Sequence, residues 1–295
     1  MPVELLALLA SLCWAFSSLF SAGPSQRLGA FAFSRWRMLF AASLLWLLAA
    51  WSGGAATLQG SAWLLLAISG VIGISLGDTA LFACMNRLGP RRSGILFATH
   101  ALMSAVLAWA WLDERLSAWG VVGAALLVSG VMLAVAFGKR ADEGHGWEQT
   151  QGSLRWGVAL GLLAALCQAV ATLMLKPLMS TGVDAVAASA MRMSAALGAH
   201  LLLVALWQGA RAKASVRGSD LFQIAMSAIL AMVVGMTLIL QALKYGQANL
   251  VALLSSVTPV MILPLLWVVY RKPPAWGGWA GAVGVVAGTS LLLTR

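Results

Sequence analysis

The 295-residue chain is 61% hydrophobic and only 9% charged, with a net charge of +10 and a mean hydropathy of +0.90. Soluble domains carry about 25% charged residues, and a soluble core of this size has nowhere to hide so much apolar surface, so a soluble fold is excluded. The basic residues stand singly or in twos and threes at the ends of apolar runs, with no extended basic segment; a membrane accounts for them, and no nucleic acid partner is expected.

Ten apolar runs follow one another, at about 3–22, 31–51, 63–84, 93–111, 117–137, 156–175, 185–207, 221–243, 248–269 and 275–294. Runs of about 18 or more residues read as membrane helices, so the chain is expected to be an all-α membrane protein with ten transmembrane helices. The first run carries Glu4 where a secretory leader has positive charge, and lacks a small-residue cleavage site; it reads as a mature helix. Its LLASLCWAFSSLF, residues 8–20, returns at 162–174 as LLAALCQAVATLM with seven of thirteen positions identical. Arg37-Met38 matches Arg192-Met193, Gly89 matches Gly246, and Trp119-Gly120 matches Trp276-Gly277.

Five helices precede the second copy and five follow from it. Five is odd, so equal halves must cross the bilayer in opposite directions, giving two inverted five-helix repeats around a midplane site. The expected organisation is 1–137 and 156–295 as repeats, with the polar stretch 138–155 as a linker. Arg27, Arg87, Arg91, Arg92, Lys139, Arg140, Arg155, Arg211, Lys213, Arg217, Arg271 and Lys272 fall on one side. The other receives Arg115, Lys176, Lys244 and Arg295. The positive-inside rule then puts the linker in the cytoplasm and both termini outside, in the periplasm of a bacterial inner membrane.

Two five-helix halves, each opening with an L-x-x-L-C/W-type helix, resemble the EamA-type branch of the drug/metabolite transporter superfamily. So does WAWLDERLSAWGVVGAALLVSG (109–130), with Glu114-Arg115-Leu116 before a Gly-rich fifth helix. The resemblance implies a ten-helix secondary transporter moving small organic metabolites outward, and the overall likeness is to bacterial aromatic amino acid exporters. The second half departs from the pattern with Tyr270-Arg271-Lys272-Pro273, and the 52–61 connection carries no charge.

Ionisable residues inside a bilayer are costly and are functional candidates by default. Asp78 lies ~7 Å and the matched Arg37 and Arg192 ~6 Å from the centres of their runs, inside a half-thickness of ~15 Å. Each arginine is open to two readings, snorkelling to a headgroup or facing the interior, and Asp78 is either a structural partner of one of them or a substrate-binding residue. If both face inward, one positive charge is left for a substrate carboxylate, which Arg binds bidentately. His100, near the middle of the fourth run, is either an interhelical hydrogen-bonder or a cavity residue. Trp14 sits too deep for an aromatic belt, and either fills packing space or walls a cavity; its repeat mate is Gln168. Pro259 is expected to kink the ninth helix and free the Ser255 carbonyl; this either only bends the helix or makes a ligand surface together with Ser255, Ser256 and Thr258. Leu102 and Leu107 stand at the matching places for Pro259 and Pro264, so an asymmetric site is expected. The G-x-x-x-G pairs beginning at Gly73, Gly157, Gly277 and Gly284 are scaffold signals, and Cys13, Cys84 and Cys167 read as buried apolar groups.

No nucleotide-binding loop and no hydrolase or metalloprotease motif is present. Neither an enzyme nor a cofactor or metal is expected. The partners expected are the lipid bilayer and an amino acid-like small molecule, with a monomer sufficing. A proton-coupled multidrug exporter and a non-catalytic receptor or scaffold are the competing readings. The first helix carries no acid from Leu5 to Phe20, and intramembrane arginines repel cations, which weighs against a cationic drug.

Overall fold

The computed structural model describes residues 1–137, 153–270 and 275–293. Positions 138–152 of the expected linker, Arg271, Lys272, Pro273 and Arg295 lie outside the described residues. Among the described residues every regular element is a helix. We number the membrane helices α1 (Val3–Leu28), α2 (Ala30–Trp51), α3 (Ala62–Gly89), α4 (Arg92–Leu112), α5 (Ala118–Phe137), α6 (Leu154–Met179), α7 (Ala185–Leu206), α8 (Gly218–Tyr245), α9 in two pieces (Ala248–Ser255 and Thr258–Tyr270) and α10 (Trp276–Leu293).

The first eight are long and apolar enough to cross a membrane on length and composition alone. Their outer faces expose large apolar side chains, with Trp51, Trp119, Trp156 and Trp276 at helix ends, where indole sits at the headgroup level. α1 runs past its apolar stretch because its polar end finds partners: Ser21 Oγ lies 2.8 Å from Ser227 Oγ and Ser25 Oγ donates to Asn86 Oδ1 at 3.2 Å. Gly29 (φ +85°) and Gly89 (φ +82°) turn the chain between α1 and α2 and between α3 and α4, a backbone that a Cβ would strain.

Packing follows the inverted repeat. α1 packs on α8 and α9, and correspondingly α6 packs on α3 and α4, while α2–α7, α4–α9 and α5–α10 pair mate with mate. α5 and α10 touch backbone to backbone: a Cβ on Gly130 would stand 2.7 Å from the Gly281 carbonyl oxygen, and one on Gly123 2.9 Å from that of Gly288. Small residues permit such approach where lipid offers no hydrophobic drive to association. Gly73 and Gly77 likewise admit Ala171 and Cys167, and Gly157 and Gly161 admit Leu88 and Leu96.

The backbone repeats its irregularities too. Val71–Asp78 in α3 and Ala228–Gly235 in α8 are both π-helical, a wide-turned form that is rare beyond a single turn and concentrates at functional sites. Their boundaries differ by 157 positions, the offset that relates Gly89 to Gly246. α4 breaks at Thr99 and α9 at Ser256–Val257, again with 157 positions between Thr99 and Ser256. In each break a hydroxyl bonds back one turn: Thr99 Oγ1 donates to Leu96 O at 2.6 Å and Ser256 Oγ to Leu253 O at 2.7 Å. Such back-bonding bends membrane helices.

One expectation for α9 is corrected by this geometry. The Ser255 carbonyl is not free, because it accepts from Ser11 Oγ at 3.0 Å and from Thr258 Oγ1 at 3.1 Å. The same hydroxyl device breaks α4, which has Leu102 at the place matching Pro259.

Candidate functional site

Arg37 on α2 and Arg192 on α7 are buried, at 3% and 1% exposure, so neither snorkels. Helix pairing explains the burial: α2 and α7 pack on each other and on the π segments of α8 and α3. Asp78 closes the π segment of α3, its side chain 19% exposed, with Oδ2 3.8 Å from Arg37 Nη1. The Arg37 guanidinium also lies over the rings of Phe82 and Phe33, at 5.0 and 5.4 Å from their centroids, an arrangement that stabilises a desolvated cation.

Arg192 has weaker company. Its Nη1 donates to Met236 Sδ at 3.0 Å, a poor acceptor. Nε and Nη2 are buried with no hydrogen-bond partner among the described residues. Gly73 leaves room for this guanidinium, since a Cβ there would stand 3.2 Å from Nη2. α7, which carries Arg192, packs on the π segment that Asp78 closes, so two arginines stand beside one carboxyl group and basic groups outnumber acidic ones by one. An orphaned charged donor in a low-dielectric interior costs more than a hydrogen bond is worth when made.

Trp14 holds the other π segment. Its indole Nε1 donates to Ala231 O at 3.0 Å, and the ring edge stands where a Cβ on Gly235 would lie, 2.7 Å from Nε1. Gly235 is the repeat mate of Asp78, and Met236 beside it is the residue Arg192 binds, so Trp14 and Arg192 meet adjoining positions of α8. Gln168, the mate of Trp14, is buried and donates to Thr172 Oγ1 at 3.3 Å. Thr172 lies one turn along α6 beside Ala171, the residue against Gly73.

The remaining candidates divide. Ser255, Ser256 and Thr258 spend their hydroxyl protons on backbone carbonyls at 3.0, 2.7 and 3.1 Å, which makes them parts of the α9 break along with Pro259. His100 is buried at the start of the second part of α4, its Nδ1 2.9 Å from Phe97 O. His200 is a tie between α7 and α3, with Nε2 3.0 Å from Thr79 Oγ1.

Several residues at the repeat seam escaped the sequence reading. Ser11, Ser17, Ser21 and Ser25 of α1 bond to α9, α8 and α3; their four-residue spacing from 17 onward was the available signal. Glu114 accepts from the Ala248 and Asn249 backbone N–H groups at 2.9 and 3.0 Å, holding the N-terminus of α9. Arg27 pairs with Asp220 and donates to Ser215 O at 2.7 Å, joining the α1–α2 connection to that between α7 and α8.

A solved crystal structure of a protein superposes on this chain with a TM-score of 0.80 at 18% identity, covering 99% of this chain and 96% of that one. That likeness establishes the shared fold. No curated protein matches the chain. The profile of the EamA-like transporter family matches residues 1–136 and again 155–294, so both halves carry it. With two inverted five-helix repeats, a multi-pass apolar exterior and that match over nearly its whole length, the chain belongs to the EamA-like transporter family, whose members move small molecules across membranes.

Proposed function

We propose that the protein is a secondary transporter of the bacterial inner membrane that exports small carboxylate-bearing metabolites, neutral and aromatic amino acids foremost. The observation that carries this reading is the Arg192 guanidinium: fully buried, with two of its three nitrogens unpartnered among the described residues, in a cluster one negative charge short of balance. A substrate carboxylate supplies that charge and the planar acceptor pair which Arg matches bidentately. Asp78, held loosely by Arg37, retains lone pairs for the substrate ammonium. Trp14 supplies apolar area beside the same stretch of α8, and Gln168 a polar group from the opposite half.

The reciprocal packing of the two halves, each of which seats its π segment on the other, supports a mechanism of alternating access. A cationic drug gains nothing from a site with surplus positive charge, which disfavours the multidrug alternative. The protein acts as a monomer without cofactor on this reading, its linker cytoplasmic and its termini periplasmic.

Counterflow in proteoliposomes with a panel of amino acids, sugars and cationic drugs tests the substrate class. Arg192→Gln and Arg37→Gln should each lower amino acid exchange roughly ten- to a hundredfold, the worth of one charge-assisted hydrogen bond, in protein that remains monodisperse. Wild-type exchange rates in both variants would end the carboxylate reading.

A further inference from the structure

A second set of unspent polar atoms lies on α4, away from the arginines. His100 is 3% exposed and Ser104, one turn further on, is fully buried. The His100 ring stacks on Phe97, centroids 5.0 Å apart and planes 26° from parallel, and Nδ1 lies 2.9 Å from the Phe97 carbonyl oxygen. A carbonyl has no proton to give, so Nδ1 carries the hydrogen and the neutral ring presents Nε2 as an acceptor. Neither Nε2 nor Ser104 Oγ has a hydrogen-bond partner among the described residues.

Residues four apart share a helix face, so the two orphan atoms occupy one face of α4. That face looks onto the seam between the halves. α4 packs there against α6 and α9, and Ala101 and Ala108 join a core with Leu173 of α6 and Leu253, Leu254 and Val257 of α9. A few unpaired polar atoms set in an apolar wall are the groups that orient a small molecule in a subsite.

We infer that His100 and Ser104 form a subsite for the far end of the substrate, one that selects an uncharged N–H or O–H donor such as an indole nitrogen or a phenol. This rests on the proposed amino acid transport. The acceptors are neutral, and a second ammonium here would stand without a counter-anion, which the interior penalises heavily. A neutral donor carries no such penalty and satisfies atoms that are otherwise left bare. Phenylalanine and 1-methyltryptophan, which lack the donor, leave them so.

The test compares matched substrates in counterflow: tyrosine against phenylalanine, and tryptophan against 1-methyltryptophan. The wild-type protein should favour the donor-bearing member of each pair about three- to tenfold, the worth of one or two neutral hydrogen bonds. His100→Leu should bring both ratios close to one, while His100→Gln, whose amide oxygen accepts, should keep them above one. Ratios of one in the wild type, or preserved ratios in His100→Leu, would overturn the inference. Should His100→Leu not yield monodisperse protein, Ser104→Ala makes the smaller change: lowered ratios support the subsite and unchanged ratios refute it. The carboxylate reading fails separately, through Arg192→Gln, which acts on all four substrates alike and leaves the ratios alone.

Discussion

Trp14 packs against one π segment and, in the proposed site, serves recognition as well. Its Nε1 bond to the Ala231 carbonyl satisfies an acceptor in a π segment, where widened turns leave backbone groups less well paired. Its ring gives area next to the position that Arg192 reaches. Trp14→Phe keeps an aromatic ring and removes the donor, and should lower the melting temperature in detergent by the equivalent of about 1 kcal/mol with modest change in exchange. Trp14→Ala removes the ring as well and should weaken exchange of bulky aromatic amino acids more than of small ones, because buried area and stacking scale with the ring. Equal losses for glycine-sized and tryptophan-sized substrates would reduce Trp14 to packing. The depth of Trp14, Arg37 and Arg192 was legible from the sequence, as was Asp78 as a partner for one of the arginines; the partners of Trp14 and Arg192 were not, since Ala231 and Met236 are more than forty residues away from the side chains that hold them.

Among the elements, α9 depends most on a residue outside itself. Its first piece spans only Ala248–Ser255, and short isolated helices are marginal. Glu114 supplies what its N-terminus lacks, with both carboxylate oxygens accepting backbone N–H groups. Glu114→Ala should therefore cost about 1–2 kcal/mol of thermal stability, with Glu114→Gln, which keeps one acceptor, in between. An unchanged melting temperature in Glu114→Ala would remove the cap from the account. The sequence showed Glu114 as part of a recognisable half-closing stretch but gave no reason for an acid there. The reason lies across the fold, where the start of α9 meets the end of α4. The breaks at Thr99 and Ser256 were hidden for a related cause: a hydroxyl in an apolar run reads as an ordinary polar interruption until its bond to the preceding turn is seen.

At the scale of the whole molecule, hydropathy and the repeat were enough to predict the ten helices and their inverted halves, because both signals are averages over tens of residues. Which connections share a face is visible in the packing: Arg27 meets Ser215 and Asp220 at one end, while Lys244 donates to Gly182 O and Thr57 Oγ1 accepts from Asp184 N at the other. The charge asymmetry then predicts the side. A reporter fused after Arg295 should report the periplasm and one inserted within 138–155 the cytoplasm; the reverse pattern would overturn the orientation read from charge.

The π segment of α3 also sets the angular phase of the helix. A π turn holds more residues than an α turn, so everything on its far side is rotated about the helix axis relative to an unbroken α-helix. That rotation points Asp78 at Arg37 while Thr79, the next residue, reaches His200 on α7. Were the same residues of Val71–Asp78 wound as ordinary α-helix, those that follow would swing by about 100°, one residue's share of a 3.6-residue turn. The acid would leave its arginine, and the two halves would lose a fastening together with the charge balance at their centre. In α3, then, the count of residues matters as much as their identity: a one-residue deletion within Val71–Gly77 is expected to be absorbed by closure to α geometry with Asp78 kept on Arg37, whereas a one-residue insertion there has no such relief.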